Sequence, residues 1–175
     1  MNDRTNDRGT ITGDTVRFER LLPGPIERVW SYLTEGPQLK TWLAEDGAIP
    51  PHVGATFTLQ MGGGDDMPER EGYSAAVYGK VLAYDRPRSL EYTWGVRNPE
   101  GKVLESVVRF DLEPRGDRVA LVLTHRGVLP GFETRTLAGW HQLLDALQAR
   151  VEGREQPPAM ERFNELVSTY EKARA

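Results

Sequence analysis

Between Ser89 and Gly127 the chain alternates apolar and polar residues in three consecutive runs, separated only by NPEG and RGD. The first run puts Leu90, Tyr92 and Trp94 on one side. The second does the same with Ser106, Val108, Phe110 and Leu112, and the third with Val119, Leu121, Leu123 and His125. Alternation with period two is the mark of a strand with one buried face. Links of three or four residues are too short for a crossover, so the three strands are antiparallel neighbours. A sheet of this kind has an apolar face that another element must cover. The segment TLAGWHQLLDALQARV, residues 136–151, supplies the cover: Trp140, Leu143, Leu144, Leu147 and Val151 fall at helical spacing.

The rest of the chain extends this plan. DTVRFERLL alternates, with Val16, Phe18 and Arg20 on one side, and reads as a strand. Ile26, Val29, Trp30 and Leu33 then follow the spacing of an amphipathic helix. Pro25 suits its first position, and Gly36 is expected to end it in the left-handed conformation. Pro37 opens a second short helix whose Leu39, Trp42 and Leu43 share a face. ATFTLQM and YSAAVYGKVLAYD are two further strands, the second ending in a turn at RPRS. Between them GGGDDMPEREG, residues 62–72, reads as a mobile, solvated loop able to cover a pocket mouth. After REQPP a last helix carries Phe163, Leu166, Val167 and Tyr170 at helical spacing, suited to packing on the outer surface or against a second subunit.

The expectation is an α+β fold in the order β-α-α-β-β-β-β-β-α with an extra C-terminal helix. A six-stranded curved antiparallel sheet wraps around the long helix. Residues 1–13 are expected to be a disordered tail, 14–152 the domain and 153–175 a helical extension.

Composition removes several function classes. A net charge of −4 argues against binding nucleic-acid phosphates. No apolar run approaches the roughly 20 residues of a membrane span, and MNDRTNDRGT has no apolar core of a secretory signal. There is no cysteine, which excludes disulfides and thiolate chemistry and fits a cytoplasmic protein. His52, His125 and His141 lie in unrelated elements without metal-ligand spacing, so no metal is expected. GGGDD lacks the Lys-Ser/Thr of a phosphate loop, and no cofactor motif is present. Asp65 and Asp66 in that loop are read as solvated acids rather than as a cation site.

Four motifs in order carry a family resemblance: LPGPIERVWSYLTEGPQLKTWL, GKVLAYDRPRSLEYTW, LTHRGV and GWHQLLDAL. Over residues 14–152 the chain resembles the bacterial branch of the START-like, Bet v 1-like (SRPBCC) superfamily. More narrowly it resembles domains homologous to the activator of Hsp90 ATPase. The resemblance implies the helix-grip fold. It leaves function open, because the superfamily includes lipid and hormone carriers, cyclases and many small bacterial proteins. The eukaryotic co-chaperone carries a separate N-terminal domain. Here the first strand is read as starting near residue 14, which counts against that role.

Trp30, Trp42, Tyr92, Trp94, Phe110 and Trp140 all point inward in this scheme, with Leu33, Leu121, Leu123 and Leu144 between them. They can simply fill the core, or line a pocket for a small hydrophobic or aromatic molecule. Each indole N–H should then find a polar acceptor nearby. His125 faces the same way and is the candidate for acid–base chemistry, with Tyr92 as an assisting group, although a structural hydrogen bond is the favoured role. His141 and Asp145, four residues apart, are expected to form an exposed helix-surface pair. No nucleophile stands near either histidine in sequence. The leading expectation is a non-enzymatic module that binds a small hydrophobic or aromatic molecule in a cavity between the sheet and the long helix. The alternatives are a cyclase- or hydrolase-type enzyme using His125, and a chaperone-interacting module; a homodimer is compatible with each.

Overall fold

The computed structural model describes residues 7–62 and 72–175. Among the described residues, seven antiparallel strands form one sheet: β1 (Thr10–Thr12), β2 (Thr15–Pro23), β3 (Thr56–Gln60), β4 (Ala76–Asp85), β5 (Ser89–Arg97), β6 (Val103–Arg115) and β7 (Arg118–Arg126). Their order across the sheet is β1-β2-β7-β6-β5-β4-β3. Helices α1 (Ile26–Thr34) and α2 (Gly36–Leu39) separate β2 from β3, and α3 (Glu133–Glu152) and α4 (Ala159–Arg174) follow β7. This is the helix-grip arrangement, with α3 lying across the sheet's apolar face.

The alternation that defined the strands also defines the core. Val16, Phe18 and Leu22 of β2, Leu90 and Tyr92 of β5, Val108 and Phe110 of β6, and Leu121 and Leu123 of β7 are buried on one face. Trp140, Leu144, Leu147 and Val151 of α3 close over them. Arg20 occupies an inward position of β2 and is buried, as the alternation requires. Gly153 at φ +69° ends α3 in the left-handed conformation, a geometry that costs glycine nothing sterically.

Four expectations need correction. The strand count is seven, because Thr10–Thr12 folds back on Thr15–Arg17 across Gly13. Residues 10–13, expected within a disordered tail, are therefore held by a hairpin. A three-residue strand is too short for its alternation to show in sequence. Helix α1 ends at Thr34 with Glu35 in an extended conformation, and Gly36 opens α2 rather than closing α1. His141 is buried, not exposed, because α4 packs across it. The loop expected over residues 62–72 lies, but for its end residues Gly62 and Gly72, outside the described residues, and so do Asp65 and Asp66.

Candidate functional site

The inward aromatic residues do come together. Tyr92 stacks beside Trp94, and Trp140 meets Trp94 and Phe110 at ring-centroid separations of 5.2 and 6.0 Å. Trp30 lies further along the sheet, edge-on to Tyr84 at 5.2 Å. Leu33, Leu121, Leu123 and Leu144 are fully buried in the same core, and Trp94 is half-buried. Only some indoles have the expected acceptor. Trp42 donates to the Tyr32 carbonyl at 2.8 Å and Trp140 donates to His125 at 2.9 Å. Trp30 Nε1 and the Tyr92 hydroxyl are buried with no hydrogen-bond partner among the described residues. Burial raises the Tyr92 pKa above its ordinary value.

His125 has a protonation state set by its neighbours. The indole N–H of Trp140 can only donate, so the His125 Nδ1 that receives it carries no proton. The proton of the neutral ring is therefore on Nε2, which donates to Ser106 Oγ at 2.7 Å. Ser106 in turn donates to the Trp94 carbonyl at 3.2 Å. The chain of bonds runs from indole to imidazole to hydroxyl to backbone. Burial lowers the His125 pKa to about 4, which agrees with a neutral ring. Ser106 is the hydroxyl that sequence distance had hidden. The direction of the bonds nevertheless prevents His125 from taking its proton, so the pair does not form an activated nucleophile.

His141 belongs to a second polar cluster, where β2, α3 and α4 meet. Its Nδ1 lies 2.8 Å from the Tyr170 hydroxyl, and Tyr170 also receives the Gly9 N–H at 2.9 Å. Asp145 Oδ1 accepts from Arg20 at 2.8 Å, and Oδ2 accepts two bonds from Arg162 at 3.0 and 3.1 Å. Nε2 of His141 is 3.7 Å from Asp145. Burial dominates over that carboxylate and holds the His141 pKa down at about 4. Arg20 Nε is the one buried side-chain polar atom of this cluster without a hydrogen-bond partner among the described residues, and the cluster joins elements together. No grouping of side chains suited to a metal ion is found among the described residues.

Two clefts lie outside these clusters. A cleft of about 480 Å³ runs along α3 on a different face from Trp140 and Leu144. Helix α3 lines it with Gly139, Gln142, Leu143 and Ala146, at i, i+3, i+4 and i+7. Helix α4 and its approach add Gln156, Ala159, Met160 and Phe163. Residues 40–45, including Trp42 and Leu43, together with Met61 at the end of β3, form the opposite side. The wall is mainly apolar, with Lys40 and Glu45 as charges of opposite sign. A second cleft, of about 460 Å³, is lined by Trp30, Glu35, Ile49, Tyr84 and Arg86. Among the eleven residues expected to line a pocket, Trp42 reaches the first cleft and Trp30 the second. The contribution of α4 could not be read from its own pattern, which shows only that one of its faces is apolar. A glycine in the middle of α3 was the available signal, since it costs helix stability without an obvious return.

The chain resembles several solved structures. A protein from Bordetella parapertussis is 33% identical, with a TM-score of 0.72 over 92% of this chain and 86% of that one. CalU16 from Micromonospora echinospora is 22% identical, with a TM-score of 0.66 over 90% and 86%. The Aha1 dimer from Colwellia psychrerythraea is 19% identical, with a TM-score of 0.62 over 79% and 96%. The last two likenesses show the fold. No curated protein matches the sequence. The family described as Activator of Hsp90 ATPase homolog 1-like protein matches residues 23–152, from the end of β2 to the end of α3, and the chain belongs to that family.

Proposed function

We propose that the protein is a non-enzymatic binding module for a small, largely apolar molecule, held in the cleft between α3, α4 and residues 40–45. The observation that carries this reading is the cleft itself: about 480 Å³, walled by Trp42, Leu43, Met61, Leu143 and Phe163 with a few polar groups at its edge. That size and lining fall within the range of small-molecule sites. The inward aromatic residues, Tyr92, Trp94, Phe110 and Trp140, then serve as the rigid floor on which α3 is seated. The bond directions around His125 support binding over hydrolysis or cyclisation. The chaperone reading has only the family description behind it. A cytoplasmic location and a homodimer belong to the same proposal. The neighbour described as a dimer makes sedimentation the measurement for the second.

The test is a thermal-shift screen of lipids, aromatic polyketides and flavonoids. A ligand present at about 100 times its Kd adds about 2.7 kcal/mol, a rise of roughly 5–10 °C in Tm for a chain of this size. Met160→Glu, at an exposed position on the cleft wall, should reduce that rise without lowering the Tm of the free protein. A screen in which no compound moves the Tm overturns the proposal.

A further inference from the structure

Helix α3 carries a glycine, Gly139, near the middle of its first half, facing the cleft. Glycine inside a helix weakens it relative to alanine, through backbone entropy and lost side-chain contacts. Three structural reasons could explain such a residue, and two fail here. Gly139 does not have a positive φ, so backbone conformation does not require it. Close packing does not require it either: a Cβ built at this position would meet nothing nearer than Phe163 Cε2, at 4.0 Å, which is ordinary van der Waals contact. What remains is the space itself. The missing side chain leaves room between α3 and Phe163, and that room is part of the cleft.

The polar lining indicates what the room is for. Among the described residues, Lys40 and Glu45 are the charged side chains of the lining, and their opposite signs favour neither an anion nor a cation over a neutral ligand. Gln142 and Gln156 are half-buried on the wall, and no hydrogen bond is formed by either side-chain amide among the described residues. An amide offers both a donor and an acceptor to a neutral hydroxyl or carbonyl group.

Resting on the binding proposal above, we infer that Gly139 sets the size limit of the cleft, and that the ligand is a neutral ring compound with a hydroxyl or carbonyl group met by Gln142 or Gln156. Helix stability is given up at Gly139 to keep space for the ring.

Full-length protein and two fluorescent probes test this: pyrene, which has no polar atom, and 1-hydroxypyrene, which adds one hydroxyl. Gly139→Ala should raise the Tm by about 2–4 °C, the return of helix propensity for a chain this long. Gly139→Leu should remain folded with a Tm at or above that of the original protein, and should weaken both probes by about tenfold or more through overfilling. The double variant Gln142→Leu, Gln156→Leu should weaken 1-hydroxypyrene by about 3- to 10-fold and leave pyrene within about twofold. A fall in Tm for Gly139→Ala would show that packing requires the glycine. Unchanged probe binding in Gly139→Leu, or equal effects on both probes in the glutamine variant, would equally overturn the inference while leaving the binding proposal standing. Failure of the original protein to bind either probe would overturn the inference, whereas the binding proposal falls only with the thermal-shift screen.

Discussion

His125 shows how one donor can fix the state of a titratable side chain. Because Trp140 donates to Nδ1, adding a proton to the ring would set two N–H groups against each other and place a charge in the core. The ring's pKa is about 4 against an ordinary 6.5, and burial is the cause. The folded state therefore favours the neutral form. The stability this contributes is complete above pH 6.5, falls as the pH drops from 6.5, and is lost once the pH passes below about 4. The size of the effect for His125 is about 3 kcal/mol. Urea unfolding at pH 7 and pH 4.5 should show a clear loss of stability at the lower pH. In His125→Leu that loss should shrink to the part due to His141, whose pKa is lowered in the same direction. An unchanged difference between the two pH values in the variant would exclude this account. Sequence alone placed His125 inward by alternation but could not supply Ser106, which is 19 residues away and reaches it only through the β6–β7 register that pairs Val108 with His125.

At the level of elements, the sheet has a close approach that leaves little tolerance. Gly79 of β4 is paired with Phe57 of β3, and the Phe57 ring lies over it. A Cβ at Gly79 would fall inside the ring's van der Waals envelope. Phe57 cannot easily move aside, because it is seated edge-on against Tyr92 at 5.2 Å. Gly79→Ala should lower stability by about 1–3 kcal/mol, the usual cost of overpacking, read as a reduced urea midpoint with an unchanged m-value. An equal or raised midpoint would show that the ring yields freely. The elements legible in sequence were those with a strong period. Strands β2 to β7 and helices α1, α3 and α4 each bury one face and therefore repeat with it. The β1 strand, of three residues, buries too little to leave a pattern. The burial of His141 was hidden because its own helix places it beside the apolar stripe; the cover comes from Tyr170 of α4.

Across the whole molecule, Asp145 is where distant segments are joined. Its carboxylate accepts from Arg20 of β2 and from Arg162 of α4, and Arg20 also donates to the Asp7 carbonyl at 3.0 Å. The Arg20 side chain is 2% exposed, so Asp145 is the counter-charge to a buried guanidinium. Asp145→Asn leaves a buried cation without its counter-charge and should cost about 3 kcal/mol. Hydrogen exchange should show α4 opening more readily in this variant, with β5 to β7 still protected; uniform loss of protection would argue against a local joint. An inward Arg20 in an otherwise apolar strand face was itself the sequence's sign that a carboxylate must come from elsewhere. Sequence reading reached the fold because a sheet with one apolar face and a single long helix leaves few alternatives. It did not reach the cleft, because that space arises where α3, α4 and residues 40–45 meet, and no single segment encodes it. The bonds around His125 also bear on what this scaffold could become. Replacing Trp140 by phenylalanine would keep a ring in the core and remove the N–H that holds Nδ1 unprotonated. The proton could then move to Nδ1, and Nε2 would face the Ser106 hydroxyl as a base. One indole N–H therefore decides which nitrogen of His125 holds the proton, and a single codon is enough to turn the histidine–serine pair around.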